Sequence, residues 1–425
     1  MIQTVQDVVH AIRRARLLPD EQVAEILRDI APRCRDSHGL LDYLVQIDWL
    51  TPYQVEQIDQ DNWDGLTLGP YQMLAPLGQG GVSQVFQAWD TERGREVALK
   101  VIRQGLNDES EAVRQFEREL AVITRLSHPN VIKTFDAHQV GRINYFAMEY
   151  VEGVDLNRYI ADVGPLPVEY ACDFIRMTAL GLQHAYQMGM VHRDIKPANL
   201  FLINPPADPN VPFVRRGPDA LVKILDWGLA RMLPTPGEAL QSDSSLDPER
   251  GMMIGTADYV APEQARDASL VDIRADIYSL GCTFYYLLAG RVPFPGNSLM
   301  QKLLKHQTEE PTPIKQLRPE VPDEVALVLH KMLAKNPNDR YQIPLLVVAP
   351  LRHYTLSALG NAGSVIRSSQ GSSPGMRPSS TMNVRPGTML GLGTGRPVSR
   401  PSQPTQRPQT RPNLPSDPTG DDTVQ

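Results

Sequence analysis

HRDIKPAN, His192 to Asn199, is the stretch whose reading decides the fold. It runs into the apolar LFLI of Leu200 to Ile203, so a carboxylate, an ammonium and an amide share one short loop before a strand. That set fits transfer of a phosphoryl group to a hydroxyl. Asp194 can orient the acceptor and take its proton, Lys196 can sit against the transferring group, and Asn199 can give an oxygen to Mg²⁺. Pro197 stiffens the turn between them.

Downstream, VKILDWGLA, Val222 to Ala230, ends a strand in Asp226, a carboxylate placed to hold a Mg²⁺ that bridges phosphates. Between the two strands lies the proline-rich NPPADPNVPFVRRGPDA, read as a surface insertion. Upstream, after Gly69-Pro70, a strand from Tyr71 leads into GQGGVSQV, Gly78 to Val85, and then into EVALKVI, Glu96 to Ile102. Glycines 78, 80 and 81 let backbone N–H groups approach phosphate oxygens. The pattern lies between two strands rather than between a strand and a helix, which favours a hairpin over a nucleotide and disfavours a dinucleotide fingerprint. Lys100 is the candidate cation for the phosphates, and Glu117 and Glu119, on a predicted helix over 109–126, are candidate partners for it. INYFAMEYVEG, Ile143 to Gly153, reads as a strand and connector, with Met148 beside the nucleotide and the backbone of Glu149 and Val151 available to an adenine edge.

The remaining chain frames these motifs. Its 425 residues are 41% hydrophobic and carry a net charge of −7, which gives no electrostatic footprint for nucleic acid. Three cysteines without CxxC spacing exclude a disulfide framework and fit a reducing cytoplasm. No apolar run is long enough for a membrane span. Residues 1–66 read as a small all-helical unit, with a capping box at Thr4 and Asp7, a helix placing Val23, Ile26, Leu27 and Ile30 on one face, a cap at Ser37, and Thr51-Pro52 opening a fourth helix. It is small for independent stability, so it is expected to dock on the next domain or on a partner. Beyond Leu359 a Ser/Thr/Pro/Gly-rich tail with six Arg-Pro steps cannot bury enough apolar surface to fold.

Together the motifs resemble the Hanks-type Ser/Thr protein kinases, especially bacterial members that read HRDIKPAN. The resemblance implies an α+β, bilobal protein-kinase-like fold, with a β-rich N-lobe and a helical C-lobe over 69–354. The helical unit of 1–66 precedes it and a disordered tail, 355–425, follows. The resemblance implies an enzyme that uses ATP and Mg²⁺ on Ser/Thr hydroxyls of protein substrates and of itself; the cysteine usage fits the cytoplasm, and the small helical unit and the basic tail are expected docking surfaces. By resemblance Asp194 is the catalytic base, assisted by Lys196. Lys100 and Glu119 are the activating ion pair, Asn199 and Asp226 the metal ligands, and Met148 the gatekeeper. ATP would be contacted by Leu77, Gly78, Gln79, Gly80, Gly81, Val82, Ser83, Gln84, Val85, Ala98 and Lys100. Glu149, Val151, Asp155 at the ribose and Phe201 beneath the adenine complete that set. Asp276 would anchor the catalytic loop, Glu263 would pair with Arg340, and Thr256 with Lys196 fits Ser/Thr specificity. The chain departs from the pattern at Ser83, in place of a third glycine, and at Trp227, in place of the usual Phe.

Overall fold

The computed structural model describes residues 4–79, 83–102, 123–140, 143–206, 220–227, 257–266 and 271–355. They form two compact units that divide between Ile102 and Arg103. Gly80, Gly81, Val82, most of the helix predicted over 109–126 with Glu117 and Glu119, most of the proline-rich stretch, Thr256 and the tail lie outside the described residues.

The first unit opens with helices α1 (Val5–Arg14), α2 (Asp20–Glu25), α3 (Ser37–Gln46) and α4 (Pro52–Asp59). Local chemistry sets their starts. Thr4 and Asp7 form the expected capping box on α1, and Thr51 and Gln54 form one on α4, where Pro52 occupies the first turn. For α3 the cap is Asp36, not Ser37: its Oδ1 accepts the Gly39 N–H at 2.8 Å, and Ser37 becomes the first helical residue. A carboxylate takes the cap because its charge also complements the helix dipole. Another difference lies in α2, which passes into a π-turn over Ile26–Ile30. The wider turn keeps Val23, Ile26 and Ile30 in the core but swings Leu27 out to 42% exposure. The helices bury one cluster around Val8, Ile12, Val23, Ile26, Leu40, Leu44 and Ile58.

Strands β1 (Thr67–Leu68), β2 (Tyr71–Gln79), β3 (Ser83–Asp90) and β4 (Arg95–Ile102) follow as an antiparallel meander. The β2–β3 ladder shifts register twice, between Met73 and Ala75 and again between Pro76 and Gly78. The helices attach to this sheet. Thr67 donates its hydroxyl to the Ala15 carbonyl, the Gln72 amide donates to the Arg16 carbonyl, and the Tyr53 ring lies 6.1 Å from that of Phe86. The helical segment therefore docks on the chain that follows it.

The second unit begins with the hairpin β5 (Thr134–Val140) and β6 (Ile143–Glu149). A small antiparallel sheet of β7 (Gly153–Asp155), β8 (Leu200–Ile203) and β9 (Leu221–Ile224) comes next, with Ile203 opposite Leu221. Gly153 is required here, since a Cβ would collide with the Leu202 carbonyl oxygen. The helices are α5 (Leu156–Val163), α6 (Val168–Gln187), α7 (Pro262–Arg266), α8 (Ile273–Ala289), α9 (Leu299–Thr308), α10 (Ile314–Leu317), α11 (Asp323–Met332) and α12 (Leu345–Leu351). Their core centres on α6 and α8, whose apolar spacing buries Phe174, Ile175, Leu182, Ile277, Leu280 and Phe284 completely. The strand-rich first stretch and helical second stretch follow the expected order.

Candidate active site

The loop predicted to carry the chemistry joins α6 to β8, and its shape is imposed from α8. Asp276, in the first turn of α8 and 1% exposed, accepts the backbone N–H groups of His192 and Arg193 at 2.7 Å each. Burial pushes its carboxyl up, while His192 and Arg193 pull it back towards the charged form. This two-pronged grip holds Arg193 at a φ of +67°, a left-handed backbone that a side chain adopts at a cost of about 1–2 kcal/mol. Gln264, beside Glu263 on α7, donates to the Arg193 carbonyl at 2.7 Å.

His192 is buried and links the loop to the segment bearing Asp226. Its Nδ1 accepts the Asp194 N–H at 3.3 Å and its Nε2 lies 2.7 Å from the Leu225 carbonyl oxygen. A carbonyl can only accept, so the ring is the neutral tautomer protonated at Nε2. The Leu225 N–H in turn donates to the Asn199 carbonyl at 2.9 Å, which ties the two segments at both polar groups of one residue. Asp226 also has a left-handed backbone, with φ +60°. Trp227 is 4% exposed and meets the His192 ring edge-to-face at 4.8 Å, so the indole fits against the loop of His192 to Asn199.

Within the loop, Asp194 Oδ2 receives Lys196 Nζ at 2.8 Å and Asn199 Nδ2 at 3.0 Å, and the same amide nitrogen reaches the Asp194 carbonyl at 2.8 Å. With its nitrogen used on Asp194, Asn199 presents Oδ1 as its remaining polar atom. An amide oxygen and the Asp226 carboxylate would give a sparse, all-oxygen donor set. That set fits Mg²⁺, which keeps waters and takes phosphate oxygens, and it does not fit a metal needing a full protein cage. Among the described residues no cluster of three or more His, Cys, Asp or Glu could hold a metal alone.

The connector after β6 is clamped as well. The Glu149 N–H donates to the Lys133 carbonyl at 2.8 Å. Its carboxylate accepts the Lys133 N–H and Lys223 Nζ, both at 2.7 Å. The N–H is thus used, and the Glu149 carbonyl is the group it can offer an adenine edge; Val151 follows it in the connector. Met148 stands opposite Thr134. Asp155 and Phe201 are cross-strand partners in the β7–β8 pair, and Asp155 Oδ1 caps α5 through the Arg158 N–H at 2.9 Å. In the first unit, Val85 faces Gly78 on one side and Lys100 on the other, and Ala98 faces Gln87. Lys100 is 8% exposed; Leu77 is 46% exposed, and Gln79, Ser83 and Gln84 lie near the strand ends.

Below the loop, Glu263 and Arg340 form a two-bond ion pair at 2.7 and 2.8 Å, as expected. Sequence reasoning missed Lys223, Gln264 and the Lys302–Asp258 ion pair at 2.7 Å. Gln264 carried a faint signal in its place beside Glu263. Lys223 carried none, because a strand lysine is ordinarily a solvated one.

Residues 71–351 match the protein kinase domain family. The chain belongs to that family. The chain is 35% identical over 300 residues to a probable serine/threonine-protein kinase of Corynebacterium efficiens, a match covering 69% of this chain and 42% of the relative. It is also 35% identical over 274 residues to the serine/threonine-protein kinase PrkC of Bacillus subtilis, covering 64% and 39%. Among solved structures, the Mycobacterium tuberculosis PknI kinase domain superposes with a TM-score of 0.52 at 25% identity, covering 68% of this chain and 98% of that domain. The chain thus spans about two fifths of the length of these curated relatives.

Proposed function

We propose that the chain is an ATP- and Mg²⁺-dependent Ser/Thr protein kinase that modifies protein substrates and itself. The observation that carries this reading is Asp194, held by Lys196 and Asn199 in a loop whose backbone is fixed by Asp276. In it Asp194 orients the substrate hydroxyl and accepts its proton, and Lys196 lies against the transferring phosphoryl. Asn199 and Asp226 hold the metal, which supplies charge neutralisation on the phosphates when bound. Lys100 with Glu119 places the α- and β-phosphates. Leu77, Ser83, Gln84, Ala98 and the glycine-rich stretch of 78–82 and Val85 enclose the nucleotide. Met148, Glu149, Val151, Asp155 and Phe201 receive the adenosine.

The domain limits of 1–66, 69–354 and 355–425, the cytoplasmic location and the docking roles of the two ends belong to the same proposal. Among the described residues no helix is long and apolar enough to cross a membrane. Incubating the purified chain with labelled ATP and Mg²⁺ tests the reading. Wild type is expected to label itself on Ser/Thr, while Asp194→Asn loses at least about a thousandfold in turnover and Lys100→Met loses nucleotide placement. Near-normal turnover in Asp194→Asn would remove the assigned base.

A further inference from the structure

Thr51 and Gln54 are 1% and 2% exposed, and each is used twice. Within the α4 cap, Thr51 Oγ1 accepts the Gln54 N–H at 3.1 Å and Gln54 Oε1 accepts the Thr51 N–H at 2.9 Å. Outward, the Thr51 hydroxyl donates to the Leu74 carbonyl at 2.6 Å and Gln54 Nε2 donates to the Met73 carbonyl at 2.9 Å. A helix cap does not need these second bonds.

Their targets sit at the first register shift of the β2–β3 ladder. Met73 faces Ala88 and Ala75 faces Gln87, which leaves Leu74 as the extra residue of a bulge. A bulged residue loses its place in the ladder, and a buried carbonyl must find a donor elsewhere. Leu74 and Met73 are 1% and 6% exposed, so water is not the donor; α4 is. Beyond the bulge, β2 runs to Gly78 and Gln79, opposite Val85 and Gln84.

We propose that Thr51 and Gln54 are positioning residues for nucleotide binding, acting through the Leu74 bulge to set the direction of β2 and so the placement of Gly78 and Gln79. This rests on the reading of Gly78 to Val85 as the phosphate-contacting stretch. A bulge bends and twists its strand, and without donors the strand relaxes towards regular pairing. Phosphate contacts are made in the ground state as well as the transition state, so their loss enters KM for ATP rather than kcat.

The test uses the full chain and four substitutions. Thr51→Val and Gln54→Leu remove the donors, Thr51→Ser keeps the hydroxyl, and Thr67→Val breaks a separate helix–sheet contact on β1, outside β2. Thr51→Val and Gln54→Leu are expected to raise KM for ATP about tenfold with kcat within about twofold, equivalent to a tenfold fall in the binding-competent fraction. Thr51→Ser and Thr67→Val should keep the wild-type KM. Amide exchange in 71–79 should quicken in the first pair only. Wild-type KM and exchange in Thr51→Val and Gln54→Leu would overturn the proposal, as would equal KM shifts in all four variants, which would mark general destabilisation. If Thr51→Val does not fold, Gln54→Glu keeps the cap oxygen and loses the donor, and the same outcomes apply. Absence of turnover in the wild type would refute the kinase reading alone, since the exchange comparison still reports on the bulge.

Discussion

Arg340 is a buried cation with every donor used, and removing its counter-charge gives a large, calculable effect. Nε donates to the Ala334 carbonyl at 2.7 Å. Nη1 donates to Glu263 Oε1 at 2.7 Å and the Arg274 carbonyl at 2.9 Å. Nη2 donates to Glu263 Oε2 at 2.8 Å and the Lys335 carbonyl at 3.0 Å. The guanidinium also lies 4.8 Å from the Tyr278 ring centroid, and the side chain is 0% exposed against 16% for Glu263. Glu263→Ala deletes two charge-assisted bonds and leaves the cation facing carbonyls alone, at an expected cost of about 3–5 kcal/mol. Arg340→Leu removes the buried cation but strands three carbonyl acceptors and the Glu263 carboxylate, at about 2–4 kcal/mol. The double variant should lose much less than the sum, because each single variant leaves one charge of the pair without its partner and the double variant leaves neither. A coupling of at least about 2 kcal/mol is therefore expected. Urea denaturation of the full chain, followed by far-UV circular dichroism, measures all corners of the cycle. Coupling below about 1 kcal/mol, or a Glu263→Ala transition that coincides with wild type, would refute the reasoning.

Two further outcomes follow from buried ionisable groups. Asp276→Asn offers only one acceptor where His192 and Arg193 need two, leaving a buried N–H unmet at about 1–3 kcal/mol; kcat should fall roughly ten- to a hundredfold with the dichroism spectrum unchanged, and unaltered kcat would contradict the clamp. His306, buried against Tyr278 and Phe294, has its pKa lowered to about 3 by burial first and then by Lys335. Its folded value lies below the unfolded one, so its contribution is whole above about pH 6.5 and is lost as pH falls towards 3, at up to about 1.4 kcal/mol per pH unit. Stability measured from pH 7 to 4 should fall less steeply in His306→Gln than in wild type, and parallel curves would show that His306 does not titrate on unfolding.

The loop of His192 to Asn199 stood out in the sequence because phosphoryl transfer would restrict residue types at such fixed offsets, and the anchoring by Asp276 and the Glu263–Arg340 pair came with the resemblance. Periodicity located the helices and strands, since α6, α8 and β2 to β4 carry strong apolar spacing. What escaped was tertiary pairing. Nothing local in VKIL marks Lys223 as the partner of Glu149, and nothing local in TPYQ marks Thr51 and Gln54 as donors to β2. Leu27 escaped for a different reason, because a π-turn changes the period on which the reading relied. The cap of α3 moved by one residue since Asp36 and Ser37 are both good caps, and local sequence does not rank adjacent ones.

Ile203 and Leu221 are cross-strand neighbours, so the chain leaves β8 and re-enters β9 at one place. The intervening segment is a detour whose ends the sheet has already joined. Doubling the length of such a detour adds only about 0.6 kcal/mol of closure entropy. This makes the position a natural port for engineering: a reporter domain or affinity tag spliced there would ride on the chain with its termini anchored a strand's width apart. It also gives lineages a place to try new sequence at little cost to folding.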